Sequence, residues 1–370
     1  MHRHGIGVER TPITVVASAM AVLLALSAMP PVRSIIIAPV DSGGMQYTTL
    51  GRTGLRVSVA GLGCGGNSRL GLGAGKSERE AIALVRCAID LGVNFFDTAE
   101  AYGTEDVLGR ALAGVERDAV VISSKSRILD AAGNQLSGTA VVRSLDESLR
   151  RLSMDHLDVF HLHAVQPAHY DHALRELAPA LLREKERGKI RHLGITESPP
   201  RDPQQAMLKR ALGDSCWEVI MLAFHMMNQG AREMLFPRAR AQGVGTLVMF
   251  AVRNIFSRPG VLEKTLLELG EKGEFSRELA DRPDPLGFLV HPSGASSLTD
   301  AAYRFARHEP GADVVLFGTG GQEHLRANLA SLCKPALPQA DAEKLRSLFA
   351  HLHGVGLVLP DTARVRQEPV

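Results

Sequence analysis

SEREAIALVRCAIDLGVNFFDTAEAYGTEDVLGRALAGVERDAVVISSK, residues 77–125, decides how this chain folds. Residues 77–92 carry apolar side chains at helical spacing, and Ser77 with Glu80 forms a capping-box start. NFFDTA (94–99) is a short apolar run that reads as a strand. A second helix over 104–114 and a second strand, AVVISSK (119–125), repeat the pattern. Strands alternating with helices at this spacing build a parallel sheet.

The same alternation extends in both directions. VSVAGLG (57–63) reads as the first strand, and later strands are expected at 157–163, 190–196, 217–224, 245–250 and 313–318. Helices are expected at 138–153, 172–188, 203–213, 231–243, 297–308 and 322–332. Many of the strands are unbroken apolar runs, as when both faces of a parallel sheet are covered. Eight βα units predict an α/β protein with a closed (β/α)₈ TIM barrel. Residues 251–296, with Pro259, Pro283, Pro285 and Pro292, form a long loop after strand 7 that is expected to cover the active-site face. DAEKLRSLFAHLH adds a C-terminal helix. The barrel is assigned to 45–355 and a tail to 356–370.

Composition narrows the function. Of 370 residues, 45% are hydrophobic and 22% charged, and the net charge of +2 favours neither nucleic acid nor an anionic membrane as a partner. Cys64, Cys87, Cys216 and Cys333 lie far apart, so neither a disulfide framework nor a zinc knuckle is expected. Residues 1–44 form an extension. Its apolar run, 12–29, has the pattern of a secretory signal or a marginal anchor, whereas Met45 is an alternative natural start.

Two nucleotide motifs tempt the reader of GLGCGGNSRLGLGAGKS (61–77). GLGCGG fits the dinucleotide fingerprint, but the next helix starts only at Ser77, and the fingerprint must open a helix directly. GAGKS lacks the first glycine of a P-loop, because position 70 is Leu70. The segment instead reads as the end of strand one and its rim loop.

Barrel chemistry sits at the carboxyl ends of strands. Asp97 ends strand two, with Tyr102 in the loop beyond; Lys125 ends strand three and His163 strand four. A tyrosine is a poor acid or base at neutral pH, and a nearby ammonium lowers its pKa. Asp97 would hold the ammonium, and a carbonyl oxygen between Tyr102 and His163 could receive a proton as hydride arrives at its carbon. A protein has no hydride source, so a nicotinamide cofactor, NADP(H) or NAD(H), is implied. His161, His163 and His169 are clustered without a carboxylate and open site, so no metal is assigned.

NFFDTAEAYG, VVISSK, LDVFHLH, GKIRHLGIT, GVGTLVMF and FGTGGQEHLRANL, in this order and spacing, resemble the aldo-keto reductase family over nearly all of 45–332. The resemblance implies a barrel that binds NAD(P)(H) across its carboxyl-end rim and reversibly reduces a small aldehyde or ketone. It implies the catalytic tetrad Asp97, Tyr102, Lys125 and His163, with Tyr102 as general acid or base. Gly63, Cys64 and Gly65 would be small because the cofactor passes close by. Intracellular nicotinamide supply places such an enzyme in the cytoplasm, without stable membrane association.

The chain departs from the family at several cofactor positions. Thr196 and Glu197 stand where the family has Ser-Asn, and a carboxylate serves only the NH₂ side of the nicotinamide amide. Met221 replaces a glutamine, and Phe250 or Met249 stands where a tyrosine stacks. Gly318, Thr319, Gly320, Gln322 and Asn328 form the expected adenosine end. Gly320 occupies the basic position there, for which Arg326 is a substitute. The alternative function is a cofactor-binding regulatory or redox-sensing subunit with little turnover.

Overall fold

The computed structural model describes residues 44–358. The signal-like reading of 12–29 and most of the tail lie outside the described residues. Eight parallel strands close a barrel. They are β3 (Ala60–Gly63), β4 (Phe95–Asp97), β5 (Val121–Arg127), β6 (Leu157–Val165), β7 (Ile190–Glu197), β8 (Val219–Ala223), β9 (Gly245–Met249) and β10 (Val314–Phe317). The ring closes where Val315, Leu316 and Phe317 pair with Ala60, Gly61 and Leu62. The (β/α)₈ barrel expected from the alternation is the observed fold.

Helices follow the barrel strands. Among them are α1 (Glu78–Asp90), α2 (Glu105–Leu112), α3 (Gly138–Leu152), α4 (Ala178–Glu186), α5 (Ala206–Ala211) and α6 (Ala231–Gln242). The start of α1 is the capping box read from the sequence: Glu80 N donates to Ser77 Oγ, and Ser77 N to Glu80 Oε2 at 2.9 Å. Ala81, Leu84, Val85 and Ala88 recur at helical spacing and bury the inner face of α1.

Two features depart from the sequence reading. VSVAGLG does not form one strand. Val57 and Ser58 belong to an antiparallel hairpin, β1 (Tyr47–Thr49) with β2 (Arg56–Ser58), and the barrel strand begins at Ala60. Leu50 and Val57 pack in one core with Phe95, Val121, Val159, Met221, Leu247 and Val314 inside the barrel. Arg52 also bonds the carbonyls of Ser215, Trp217 and Gln242, which precede β8 and β9. The hairpin therefore plugs the amino end of the barrel. Three-residue strands show no usable periodicity, which is why the sequence does not reveal them.

The long connection after β9 is partly helical. It contains α7 (Asn254–Ser257), α8 (Val261–Glu271) and α9 (Arg277–Ala280). It is tied to the C-terminal helix, α12 (Gln339–Phe349), which follows α10 (Leu298–Arg307) and α11 (Gln322–Cys333). Phe275 stacks on Phe349 at 5.4 Å, and His351 Nε2 lies 2.8 Å from the Glu274 carbonyl. Its prolines punctuate short helices rather than denote an irregular loop. Among the described residues, no helix is long and apolar enough to cross a membrane.

Candidate active site

The rim site is built around a buried ion pair. Asp97 ends β4 and Lys125 lies on β5, one strand over. Lys125 Nζ donates to Asp97 Oδ1 at 2.8 Å, to Asp97 Oδ2 at 2.7 Å and to the Thr98 carbonyl at 2.7 Å. Lys125 also hydrogen-bonds the Tyr102 side chain, so the ammonium links the carboxylate to the phenol. Ser123 Oγ donates to Asp97 Oδ1 as well, at 2.8 Å. The lysine side chain is fully buried and Asp97 nearly so. Burial alone would push the Lys125 pKa down; Asp97, with Tyr102, outweighs it and leaves the pKa raised. The ammonium therefore stays charged beneath the rim.

Tyr102 is carried by a short turn, Glu100–Tyr102, between β4 and α2. That loop is pinned on several sides. Thr98 Oγ1 and Thr104 Oγ1 are 3.0 Å apart, and Arg69 Nε donates to the Tyr102 carbonyl at 2.8 Å. Glu105, buried at the head of α2, accepts from Ser124 Oγ of β5 at 2.5 Å and Arg151 Nε of α3 at 2.6 Å. The Tyr102 ring has Lys125 Nζ 5.0 Å from its centre and His163 edge-on at 5.7 Å. The four residues named from the sequence thus converge.

Their electrostatics differ from the sequence expectation in one respect. The Lys125 charge does pull the Tyr102 pKa down, but burial of the phenol is the larger effect, and the pKa is raised. Tyr102 is a held proton rather than a standing phenolate. His163 is driven the other way. Burial first, then the charges of Lys125 and Arg127, bring its pKa down to about 3, so the imidazole is neutral at pH 7.

A bulge aims His163. Between Leu162 and Val165 the β6–β7 register shifts, and Ala164 takes φ +55°. Ala164 N donates to Thr196 Oγ1 at 2.7 Å. Thr196 therefore holds the turn beside His163, and its own hydroxyl proton remains available.

At the end of β3, Gly65 has a different cause from the one expected. A methyl group there would lie 2.5 Å from Tyr102 Cε2, so the glycine makes room for the tyrosine ring. Cys64 is fully buried, its Sγ directed to the Leu62 carbonyl, and burial raises its pKa. Gly63 is roomier, with Phe317 O the nearest atom at 3.5 Å from an added methyl.

Glu197 also departs from its sequence reading. Its Oε1 accepts from Ala223 N at 2.6 Å and Gln205 Nε2 at 3.1 Å, while the buried Oε2 has no hydrogen-bond partner among the described residues. Burial pushes its pKa up to about 8. The shift favours the protonated acid at neutral pH, and Oε2, which accepts no bond, is the oxygen open to the proton. It can then donate, which the carboxylate inferred from sequence could not. Met221 lies in the barrel core and offers no polar contact. Phe250 follows β9 at φ +69°, with the Arg253 guanidinium 4.2 Å from its ring centre.

The loop after β10 explains its missing basic residue. Thr319 Oγ1 accepts from Gly321 N at 3.3 Å, making a tight turn before α11, which Gln322 begins and on which Asn328 lies. A side chain at Gly320 would meet Gly71 Cα at 2.9 Å, because the β3 loop packs against this turn. Arg326 is directed to Cys87 Sγ of α1 at 3.5 Å. Lys76 approaches instead, with Nζ 3.7 Å from where a methyl on Gly321 would stand. Sequence reasoning discarded GAGKS as a P-loop and missed this lysine. Its proximity depends on how two loops distant in the chain pack.

His161 shares the inward face of β6 with His163, and neither of its ring nitrogens has a partner among the described residues. Among the described residues, no group of three His, Cys, Asp or Glu is arranged to hold a metal ion.

A closed barrel that presents a tyrosine above a buried Lys–Asp pair defines a class of rim-site barrels equipped for proton transfer. Residues 61–350 match the model of the aldo/keto reductase family, and the chain belongs to that family. It is 34% identical over 210 residues to L-galactose dehydrogenase of Arabidopsis thaliana, a match covering 55% of this chain and 64% of that protein. It is 26% identical over 303 residues to an aldo-keto reductase of Bacillus subtilis (strain 168), covering 76% of this chain and 87% of the other. The fold superposes on the holo form of an aldo-keto reductase from Bacillus halodurans with a TM-score of 0.65 at 21% identity, covering 85% of this chain and all of the other. Family membership supports oxidoreductase activity in general.

Proposed function

We propose that the protein is an NAD(P)(H)-dependent oxidoreductase that interconverts an aldehyde or ketone and its alcohol at the Tyr102 site. The observation that carries this reading is the Lys125–Asp97 pair set beneath Tyr102, with neutral His163 against the ring. The chain's residues fit a nicotinamide dinucleotide at the rim: Glu197 Oε2 is a buried polar atom whose partner a nicotinamide amide would supply. Thr196 and Glu197 would hold that amide, Phe250 would lie against the ring, and Gly318–Gln322 with Asn328 would take the adenosine end. Lys76 would supply the cation that Gly320 cannot carry. When bound, the reduced cofactor supplies hydride to the carbonyl carbon.

The protein groups manage the proton. The carbonyl oxygen sits between Tyr102 Oη and His163, and Tyr102 donates its proton as negative charge develops there. A raised pKa keeps that proton in place at neutral pH, so Tyr102 enters the reduction as an acid, and alcohol oxidation, which needs the phenolate, calls for higher pH. The fixed Lys125 charge stabilises the phenolate left behind.

The test is nicotinamide fluorescence with NADPH and NADH, followed by turnover of an aldehyde panel and of L-galactose in the oxidative direction. Tyr102→Phe should abolish turnover while sparing cofactor affinity; near-normal turnover would remove Tyr102 from this role. Binding without turnover in the parent protein favours a cofactor-binding regulatory subunit, a reading supported by the apolar Met221. The cytoplasm is the proposed location, on the ground of cofactor supply.

A further inference from the structure

At the mouth of the site Arg127 is a cation whose guanidinium has no carboxylate partner among the described residues. Alternation along β5 puts Val121, Lys125 and Arg127 on one face; Val121 lies in the barrel core and Lys125 in the site. Arg127 is in register with His163 on β6, and its charge reaches that imidazole. Its side chain is exposed, and among the described residues no carboxylate pairs with its guanidinium.

The neighbouring acids are all engaged elsewhere. Glu100 receives the backbone N–H of Arg127 at 2.7 Å and the Ser144 hydroxyl. Asp97 is held by Lys125. Asp130 closes its own turn by accepting from Ala132 N at 2.9 Å and Asn134 N at 2.8 Å. Arg69 adds a second guanidinium beside the Tyr102 turn, its Nε donating to the Tyr102 carbonyl at 2.8 Å. A cleft walled by low-dielectric protein concentrates such a field and draws in anions. The guanidinium fork matches a carboxylate in two parallel hydrogen bonds.

We propose that Arg127 anchors a carboxylate carried by the substrate, so that the preferred carbonyl compound is an oxo acid rather than a neutral aldehyde. The substrate carbonyl lies at Tyr102 and His163, and its acid group reaches across to the neighbouring strand end. This rests on the carbonyl-reducing reading and specifies its substrate class.

The test compares two aldehydes of nearly equal shape, 4-formylbenzoate and its methyl ester, with the full chain and NADPH or NADH. The expected result is a higher kcat/KM for the acid, carried in KM and fading as potassium chloride is raised. The acid-to-ester ratio should fall about 10- to 100-fold in Arg127→Met, the scale of a charge-assisted hydrogen bond, and recover in part in Arg127→Lys. An unchanged ratio in Arg127→Met, or a parent enzyme that prefers the ester, overturns the proposal while leaving carbonyl reduction intact. Should neither aldehyde turn over, calorimetry with 4-(hydroxymethyl)benzoate and its methyl ester decides. Acid-selective binding lost in Arg127→Met supports the subsite, and equal or absent binding overturns it. Failure to bind either nicotinamide cofactor counts separately, against the proposed function itself.

Discussion

Gly65→Ala is the sharpest probe of how the site is assembled. The added methyl would stand 2.5 Å from Tyr102 Cε2, 2.6 Å from Cδ2 and 2.7 Å from Cζ. Ordinary carbon contact is about 3.5 Å, so the ring must retreat by about 1 Å. Gly65 does not occupy the left-handed region, so backbone strain is not the cause. The retreat is directed at a ring set between Lys125 and His163, and it displaces the phenol from the carbonyl that the proposed reaction protonates. A displacement of about 1 Å at a reacting group costs on the order of 100-fold in rate. Overpacking costs about 1–3 kcal/mol of stability. The matched control is Gly63→Ala, whose methyl meets no protein atom closer than Phe317 O at 3.5 Å. Steady-state kcat, cofactor fluorescence titration and thermal melting should be measured on both variants. The expected outcome is a kcat loss of about 100-fold in Gly65→Ala alone, with cofactor affinity retained. Equal activity in the two variants would show that the Tyr102 ring position does not set the rate.

Three further outcomes follow from the geometry. Asp97→Asn leaves Lys125 buried without its counter-ion, and urea unfolding should show a loss of about 3–5 kcal/mol; a loss of about 1 kcal/mol, typical of an exposed pair, contradicts the buried pairing. Glu197, with a folded pKa of about 8 above its unfolded value of 4.5, makes the native state bind more protons between those values. Stability should therefore fall as pH rises through that window, and Glu197→Gln should flatten the decline in the urea midpoint; an identical pH profile in the variant argues against a buried acid. Lys76→Met should weaken NADPH binding by about tenfold and reduce its salt dependence, with NADH affected less; equal losses for both would place Lys76 away from the 2′-phosphate.

The barrel was legible because its signal is repeated: each strand is a run buried on two faces, each helix an amphipathic stripe. The convergence of Asp97, Tyr102, Lys125 and His163 was legible because Asp97, Lys125 and His163 lie at or near the carboxyl ends of strands, which one topology brings together. The hairpin at 47–58 was not, since three-residue strands leave no periodic trace. Lys76 and Arg127 were not, because the value of a lone basic residue depends on which neighbours fail to neutralise it.

What the sequence by itself determined, then, is the order of elements and the chemistry available at the rim. Tertiary structure alone decided the protonation of the groups there. Burial outweighs the lysine at Tyr102, drives His163 neutral and keeps the proton on Glu197. It also reassigned GLGCGGNSRLGLGAGKS: Gly65 admits a tyrosine ring, and Gly71 excludes a side chain at position 320 beside which Lys76 arrives. The physical reason is common to both. Desolvation and close packing depend on atoms contributed by distant parts of the chain, and no local stretch of sequence contains them.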